Sequence, residues 1–318
     1  MFDNPISPKP DNPALVIGAA GVDIVGRLRG ELRLESSTPA QIRSSLGGVA
    51  RNVAETLARL GHAVNLISAV GDDEIGDKLL NNVSEAGVNV DAVLKTSQYP
   101  TGTYLAVVNQ AGVLQFALDD IHTISALTPE YIRLHEALFA EASVLFIDAN
   151  LSKDTLRTIM SLARKHRLPV CADPTSSTLA SKLKPYLNRL YLITPNSAEA
   201  VIYCDPDRKI TTRRQALETA QHLVNQGVQV AIITRAEQGL CYATSETKGY
   251  IPAIRTDITD PTGAGDAISA TVIFALLNNI PLDDAVRLGV SAASLTLRYR
   301  GAVVPDLSLE KLYDQLVI

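Results

Sequence analysis

From residue 14 onward, short apolar runs of strand length alternate with longer runs of helical period, and this alternation restricts the chain to a narrow class of folds. The first run, Ala14 to Ala19 (ALVIGA), reads as a buried strand. Val53, Leu57 and Leu60 then share one helical face closed by Gly61, residues 62–70 read as strand, and Leu79, Leu80, Val83 and Ala86 mark a helix closed by Gly87. Strands are expected again at 144–147, 170–172, 190–194 and 228–234, with a pair of short strands within 239–254. Helices are expected near 129–141, at 153–166, from 197, from Thr212 to Gln226, and near 264–278 and 283–298. Thr212 with Gln215 has the spacing of a capping box. Strands that alternate with helices predict a three-layer, doubly wound α/β fold whose mostly parallel sheet is covered on both faces.

Two regions break the alternation. Residues 27–46 and 101–118 are short and polar-rich, and GTYLAVV-NQAG-VLQFAL reads as two strands around a turn at Asn109 to Gly112. Together they predict a small β-sheet outside the main domain, which would then comprise 14–26, 47–100 and 119–318. Residues 1–13 are polar and proline-rich, expected to form a disordered leader, and lack the apolar core of a signal peptide. No repeat of solenoid length recurs.

The 318 residues suffice for one large domain, and 46% are apolar with few aromatics and no Trp. A net charge of −5 gives no footprint for nucleic acid, so none is expected as a partner. The longest uncharged apolar run, Ala267 to Leu277, is too short to span a bilayer, so no membrane partner is expected either. Cys171, Cys204 and Cys241 have no paired spacing and suit a reducing compartment; a cytoplasmic location is expected.

In folds of this class ligands bind beyond the carboxyl ends of the strands. Asp23, Asn150, Asp173, Asn196 and Thr234 all fall at or just past predicted strand ends. The densest signal is Asp260-Pro261-Thr262-Gly263-Ala264-Gly265-Asp266-Ala267, which opens an apolar helix. Its small residues leave backbone N–H groups uncovered at a helix N-terminus, a setting that attracts anions. Asp266 falls in the first helical turn, where it could accept a proton beside the bound anion. A plain glycine-rich turn with an acidic residue at a helix start would use the same pattern. Upstream, Gly47-Gly48-Val49-Ala50-Arg51-Asn52 combines close backbone approach with an amide that can both donate and accept. The Asp23 carboxylate suits a vicinal diol. Asn196 and Glu199, three apart at a helix start, suit either a helix cap or hard-oxygen binding of Mg²⁺.

The octapeptide at 260–267 resembles the C-terminal signature of the ribokinase-like, or PfkB, family of small-molecule kinases, and GGVARN resembles its N-terminal signature. The resemblance covers nearly the whole chain from residue 14 and implies a ribokinase-like fold with a β lid. It implies Asp266 as catalytic base and Gly263, Ala264 and Gly265 as anion hole. Substrate would be held by Asp23, Gly47, Gly48 and Asn52. The segment TPNSAEA resembles the family's N-x-x-E motif, placing Asn196 and Glu199 by the phosphates with Mg²⁺ reached through water, and Asp173 nearby. Thr234 and Gly239 match the nucleotide-binding Thr-Leu-Gly-x-x-Gly segment, whereas Arg235 and Ala236 depart from it. Gly301 resembles the segment flanking the nucleotide base, and with Asp257 marks where some members bind a monovalent cation such as K⁺.

The implied activity is ATP-dependent phosphorylation of a ribosyl 5′-hydroxyl. GGVARN, ALDDIHTISALTPEYI, FIDANLS, ADPTSS and ITPNSAEA are most similar to pseudouridine kinases, which puts Asn150 near the substrate. Ribokinase or purine-nucleoside kinase activity is the alternative, and a catalytically silent sugar or nucleotide sensor is a different class kept open by Arg235 and Ala236. A Rossmann dehydrogenase is disfavoured, because no G-x-G-x-x-G follows the first strand. The partners implied are a nucleoside or sugar, ATP, and a second copy of the chain joined through the lid.

Overall fold

The computed structural model describes residues 11–204 and 209–316. In chain order its strands are β1 (Ala14–Ile17), β2 (Gly21–Leu28), β3 (Ala40–Gly47), β4 (Val64–Ile67), β5 (Ala69–Gly71), β6 (Val88–Asn89), β7 (Leu94–Thr96) and β8 (Gly102–Val108). There follow β9 (Leu114–Asp120), β10 (Val144–Asp148), β11 (Val170–Asp173), β12 (Leu192–Ile193), β13 (Val230–Thr234), β14 (Leu240–Ala243) and β15 (Lys248–Ile251).

Nine of them form one sheet in the order β15-β14-β13-β12-β11-β10-β1-β4-β6. It is parallel from β6 to β13, and β14 and β15 add an antiparallel edge. Successive residues of a strand face opposite sides, and the core divides accordingly. Ala14 and Val16 of β1, with Val144 and Phe146 of β10, join one apolar cluster; Leu15, Ile17, Leu145 and Ile147 join the other. Each fully buried Leu or Ile on these strands contributes about 1.5–3 kcal/mol. This is the three-layer, mostly parallel α/β architecture expected from the alternation. The helix Ala264–Leu277 is buried from Ala267 onward and packs between the helices Val49–Arg59 and Leu282–Arg298. That placement explains its all-round apolar sequence. Among the described residues no helix is long and apolar enough to cross a membrane.

A second sheet has the order β3-β2-β8-β9. It begins at Gly21 rather than at 27 and runs to Asp120 rather than 118. The chain leaves β1 through Gly18–Ala20 and enters β2 at once, so Asp23 stands on the second sheet, opposite Ser45 of β3 and Tyr104 of β8. The helix expected near 129–141 is two, Pro129–Leu134 and Glu136–Glu141, broken at His135. The strand expected at 62–70 divides into β4 and β5, and that at 190–194 shortens to β12. A 3₁₀ helix over Ala180–Arg189 and a helix over Leu309–Leu316 complete the architecture. Of the expected leader, residues 1–10 lie outside the described residues. Asn12 and Pro13 are tied to the body through Glu141 O and the Ser143 N–H.

Candidate active site

The carboxyl ends of β1, β10 and β11 open beneath the second sheet, leaving a cavity of about 370 Å³. Asp23, Gly48, Asn52, Asn150, Thr262 and Asp266 line it, together with Tyr104 and Asp119 from the second sheet. A larger cavity of about 530 Å³ lies at the opposite ends of the strands, among Arg164, Arg167, Arg189 and Gln229. It offers no carboxylate to accept a proton, whereas the smaller one brings Asp23 and Asp266 together.

Asp266 is placed by its helix. Gly263, the residue before that helix, has φ 80°, and a Cβ there would overlap Ala302 O. Only glycine fits this left-handed approach. The first backbone bond of the helix runs from the Ala267 N–H to Gly263 O at 2.9 Å, so the Ala264, Gly265 and Asp266 amides have no acceptor within it. Asp260 braces the loop, accepting from the Thr262 N–H at 3.0 Å and the Gly301 N–H at 3.3 Å. Asn52, from the other signature, donates Nδ2–H to Asp266 Oδ2 at 2.7 Å. Burial pushes the Asp266 carboxyl up to about 7; the Asn52 bond opposes the shift, and Asp23, Asp148 and Glu199 add to it.

Asp23 lies at the other end of the cavity. A Cβ on Gly47 would overlap its carboxylate, so that glycine is required for close approach. Burial raises Asp23 to about 6, Arg51 pulls it down and Asp260 pushes it up. A carboxylate facing a polar cavity can accept two O–H donors at once.

The third wall was not legible as such. Asp148, fully buried at the end of β10, accepts from the Ala19 N–H at 2.7 Å, the Ala50 N–H at 3.2 Å and the Asn150 N–H at 2.9 Å. It thereby joins the turn after β1, the start of the helix Val49–Arg59 and the Asn150 loop. Lys182 Nζ closes that loop from outside, donating to Ala149 O at 2.9 Å, Asn150 O at 3.3 Å and Leu151 O at 3.0 Å. Thr175 holds φ 66° there, with its N–H on Asp173 Oδ1 at 2.7 Å. The local signal is the FIDANLS segment, in which the resemblance marks Asn150 and not Asp148.

Asn196 and Glu199 form a full capping box. Asn196 Oδ1 accepts from the Ala198 and Glu199 N–H groups at 2.9 and 3.0 Å, while Glu199 Oε2 accepts from the Asn196 N–H at 2.8 Å. Thr194 connects this end to the anion loop through Ser269 Oγ at 2.7 Å, and Ser269 donates to Gly265 O at 3.2 Å. Asp173 and Glu199 are raised above the ordinary carboxylate range, by burial first; for Asp173, the charges of Glu199 and Asp266 add to it. Buried carboxylates set this close fit a divalent cation that keeps its own waters, since both Glu199 oxygens already accept from Asn196. Among the described residues no group of three or more His, Cys, Asp or Glu side chains is arranged to hold a metal directly.

Thr234 ends β13 and Gly239 follows in the turn after it, both outside the cavity lining, with Thr234 bridged to Asn196. Arg235 turns to Thr211 O at 3.1 Å and to Gln238, away from the carboxylates. Ala236 has φ 48°. Asp257 is exposed and is not among the cavity residues.

A family model described as pfkB family carbohydrate kinase matches residues 12–308. A pseudouridine kinase from Escherichia coli K12 is 30% identical over 93% of both chains. A guanosine-inosine kinase from Exiguobacterium acetylicum is 28% identical over 93% of this chain and 98% of its own length. Among solved structures, Arabidopsis thaliana ribokinase complexed with ribose and ATP superposes with a TM-score of 0.84 at 19% identity, covering 96% of this chain and 99% of that one, a likeness of fold.

Proposed function

This chain belongs to the pfkB family of carbohydrate kinases, phosphotransferases that act on hydroxyl groups, and on that premise we propose that it phosphorylates the 5′-hydroxyl of a ribosyl nucleoside, pseudouridine first, at the expense of ATP. The observation that carries this reading is that Asp23 and Asp266 line one cavity, with Asn52 bonded to Asp266. Asp23, Gly47, Gly48 and Asn52 hold the ribose, and Asn150 faces the remainder of the nucleoside. Asp266 accepts the proton of the 5′-hydroxyl as that oxygen bonds the γ-phosphorus and ADP leaves. Bound Mg²⁺ supplies charge neutralisation on the phosphates. The Gly263, Ala264 and Gly265 amides receive the negative charge of the transferring group, Glu199 reaches the metal through water, and Asn196, Thr234, Gly239 and Gly301 line the nucleotide side.

We assign the second sheet the role of a lid that excludes water from the reaction. Its apolar outer residues, Ile42 at 71% and Leu118 at 63% exposure, support a homodimer formed through it, which sedimentation velocity tests. K⁺ activation at Asp257 and Gly301, and a cytoplasmic location suited to Cys171, Cys204 and Cys241, which form no disulfide, complete the reading.

A panel of pseudouridine, uridine, inosine, adenosine and ribose with ATP and Mg²⁺, run with and without K⁺, tests it. The expected result is the highest kcat/KM for pseudouridine, by about tenfold or more, because a buried polar wall rejects acceptors that leave it unpaired. Preference for inosine or adenosine would favour the purine-nucleoside alternative, which the guanosine-inosine kinase relative supports. Transfer to none of them would leave a silent sensor.

A further inference from the structure

Arg51 and Glu55 are a buried ion pair on the helix Val49–Arg59, 4% and 3% exposed. Taking two opposite charges out of water costs about as much as their attraction returns, so stability alone does not account for them. The guanidinium reaches well beyond its partner. Nη2 meets Glu55 Oε2 and donates to Asn82 Oδ1 at 2.7 Å. Nη1 donates to Leu46 O at 3.2 Å and to Asn52 Oδ1 at 2.9 Å. With its oxygen taken by a cation, the Asn52 carboxamide turns its nitrogen to Asp266 Oδ2. Reversed, it would set donor against guanidinium and oxygen against carboxylate.

We propose that Arg51 is a positioning residue for phosphoryl transfer: it fixes the Asn52 carboxamide in the one orientation that holds the Asp266 carboxylate toward the cavity. This rests on the function proposed above. The same helical turn supplies all the parts, since the Arg51 N–H bonds Ala19 O at 3.2 Å and the Asn52 N–H bonds Gly48 O at 2.8 Å. The charged groups facing Asp266 are Asp23, Asp148, Asp173 and Glu199, all acidic, and those facing Arg51 are Glu55, Asp23 and Arg59. Arg51 is thus the cation that serves both ends of the cavity, through Asn52 at one and through space at Asp23.

Arg51→Met alone would leave the buried Glu55 to its second partner, Arg59 at 3.0 Å, and unbalance the pair, so the test is the exchange Arg51→Met/Glu55→Leu, made with Asn52 intact and again in Asn52→Ala. With the best acceptor of the panel, the exchange is expected to lower kcat about tenfold or more with Asn52 present, and to change it less than about twofold in Asn52→Ala. The acid limb of kcat, read with the acceptor's hydroxyls on Asp23, is expected to move up by about half a pH unit in the first background only. Equal losses in both backgrounds, or an unchanged kcat and acid limb in the first, would overturn the role. Should the exchange prevent folding, Arg51→Lys keeps Glu55 partnered but lacks the planar fork, and the same non-additivity is required of it. Should the unmodified protein phosphorylate no acceptor, the functional reading fails by itself. The Asp266 ¹³Cγ titration, followed by NMR, then still decides Arg51: its midpoint must rise on exchange with Asn52 present and not without it.

Discussion

Burial first, and with it the charges of Asp23, Asp148 and Glu199, raises the Asp266 carboxyl, and the Asn52 bond opposes them. Its carboxyl titrates near 7 instead of 3.8, so the folded chain holds that proton more tightly than the unfolded one. The stability this confers is complete below the unfolded value and is lost as pH rises through 7. In the proposed role of Asp266 as base, turnover runs the other way, since a base must be ionised. Asp266→Asn is therefore expected to lower kcat by on the order of 10²–10⁴, while raising Tm by about 2 °C or more at pH 8 and hardly at all near pH 4. Thermal melts and steady-state kinetics on one preparation check both; a lower Tm at pH 8 would show that the carboxylate stabilises the fold. Asp266 and Asn52 are open to reading from sequence because each falls near the start of a helix that follows a glycine turn, where local spacing sets direction; Asp23, inside β2, is marked only by its place after the first strand. Asp148 and Arg51 are not open to such reading. Their partners, Ala19 and Ala50 for one, Leu46 and Asn82 for the other, are brought near by the tertiary fold.

Elements defined by period alone were legible, and those defined by a neighbour were not. The helix Ala264–Leu277 and the β8–β9 hairpin follow the expected spans closely. β2 reads as a continuation of the core, yet its whole length pairs with β3 and β8, so pairing drew the boundary back to Gly21. The segment 129–141 keeps an apolar face but turns at His135, whose φ of −101° and ψ of 24° end one helix and start the next. The turn after β13 carries the departure from the nucleotide-binding motif. Ala236 holds φ 48°, where a Cβ costs about 1–2 kcal/mol that glycine would not, against about 0.4–1 kcal/mol of added chain entropy for glycine. Ala236→Gly is thus expected to stabilise the protein by about 0.5 kcal/mol, seen as a higher denaturant midpoint at unchanged slope. A lower midpoint would mean that the Ala236 methyl makes packing contacts worth more than the strain.

For the molecule as a whole, two apolar clusters on either side of one sheet hold the strand ends in register. The second sheet, rising from β1 through β2, roofs the cavity with Tyr104 and Asp119. Alternation in the sequence disclosed the layers, and the two glycine signatures disclosed which edge carries the site. Neither could disclose that Asp23 reaches the cavity from the roof, because that follows from β2 pairing with β3 and β8. The most direct test is a crystal structure with pseudouridine, Mg²⁺ and a non-hydrolysable ATP analogue. The expected density puts the ribose 2′- and 3′-hydroxyls on the Asp23 carboxylate and the 5′-oxygen within about 3 Å of Asp266, in line with the γ-phosphate at the Gly263–Gly265 amides. A nucleoside bound with its 5′-oxygen turned away from Asp266, or seated in the Arg164 cavity, would contradict it.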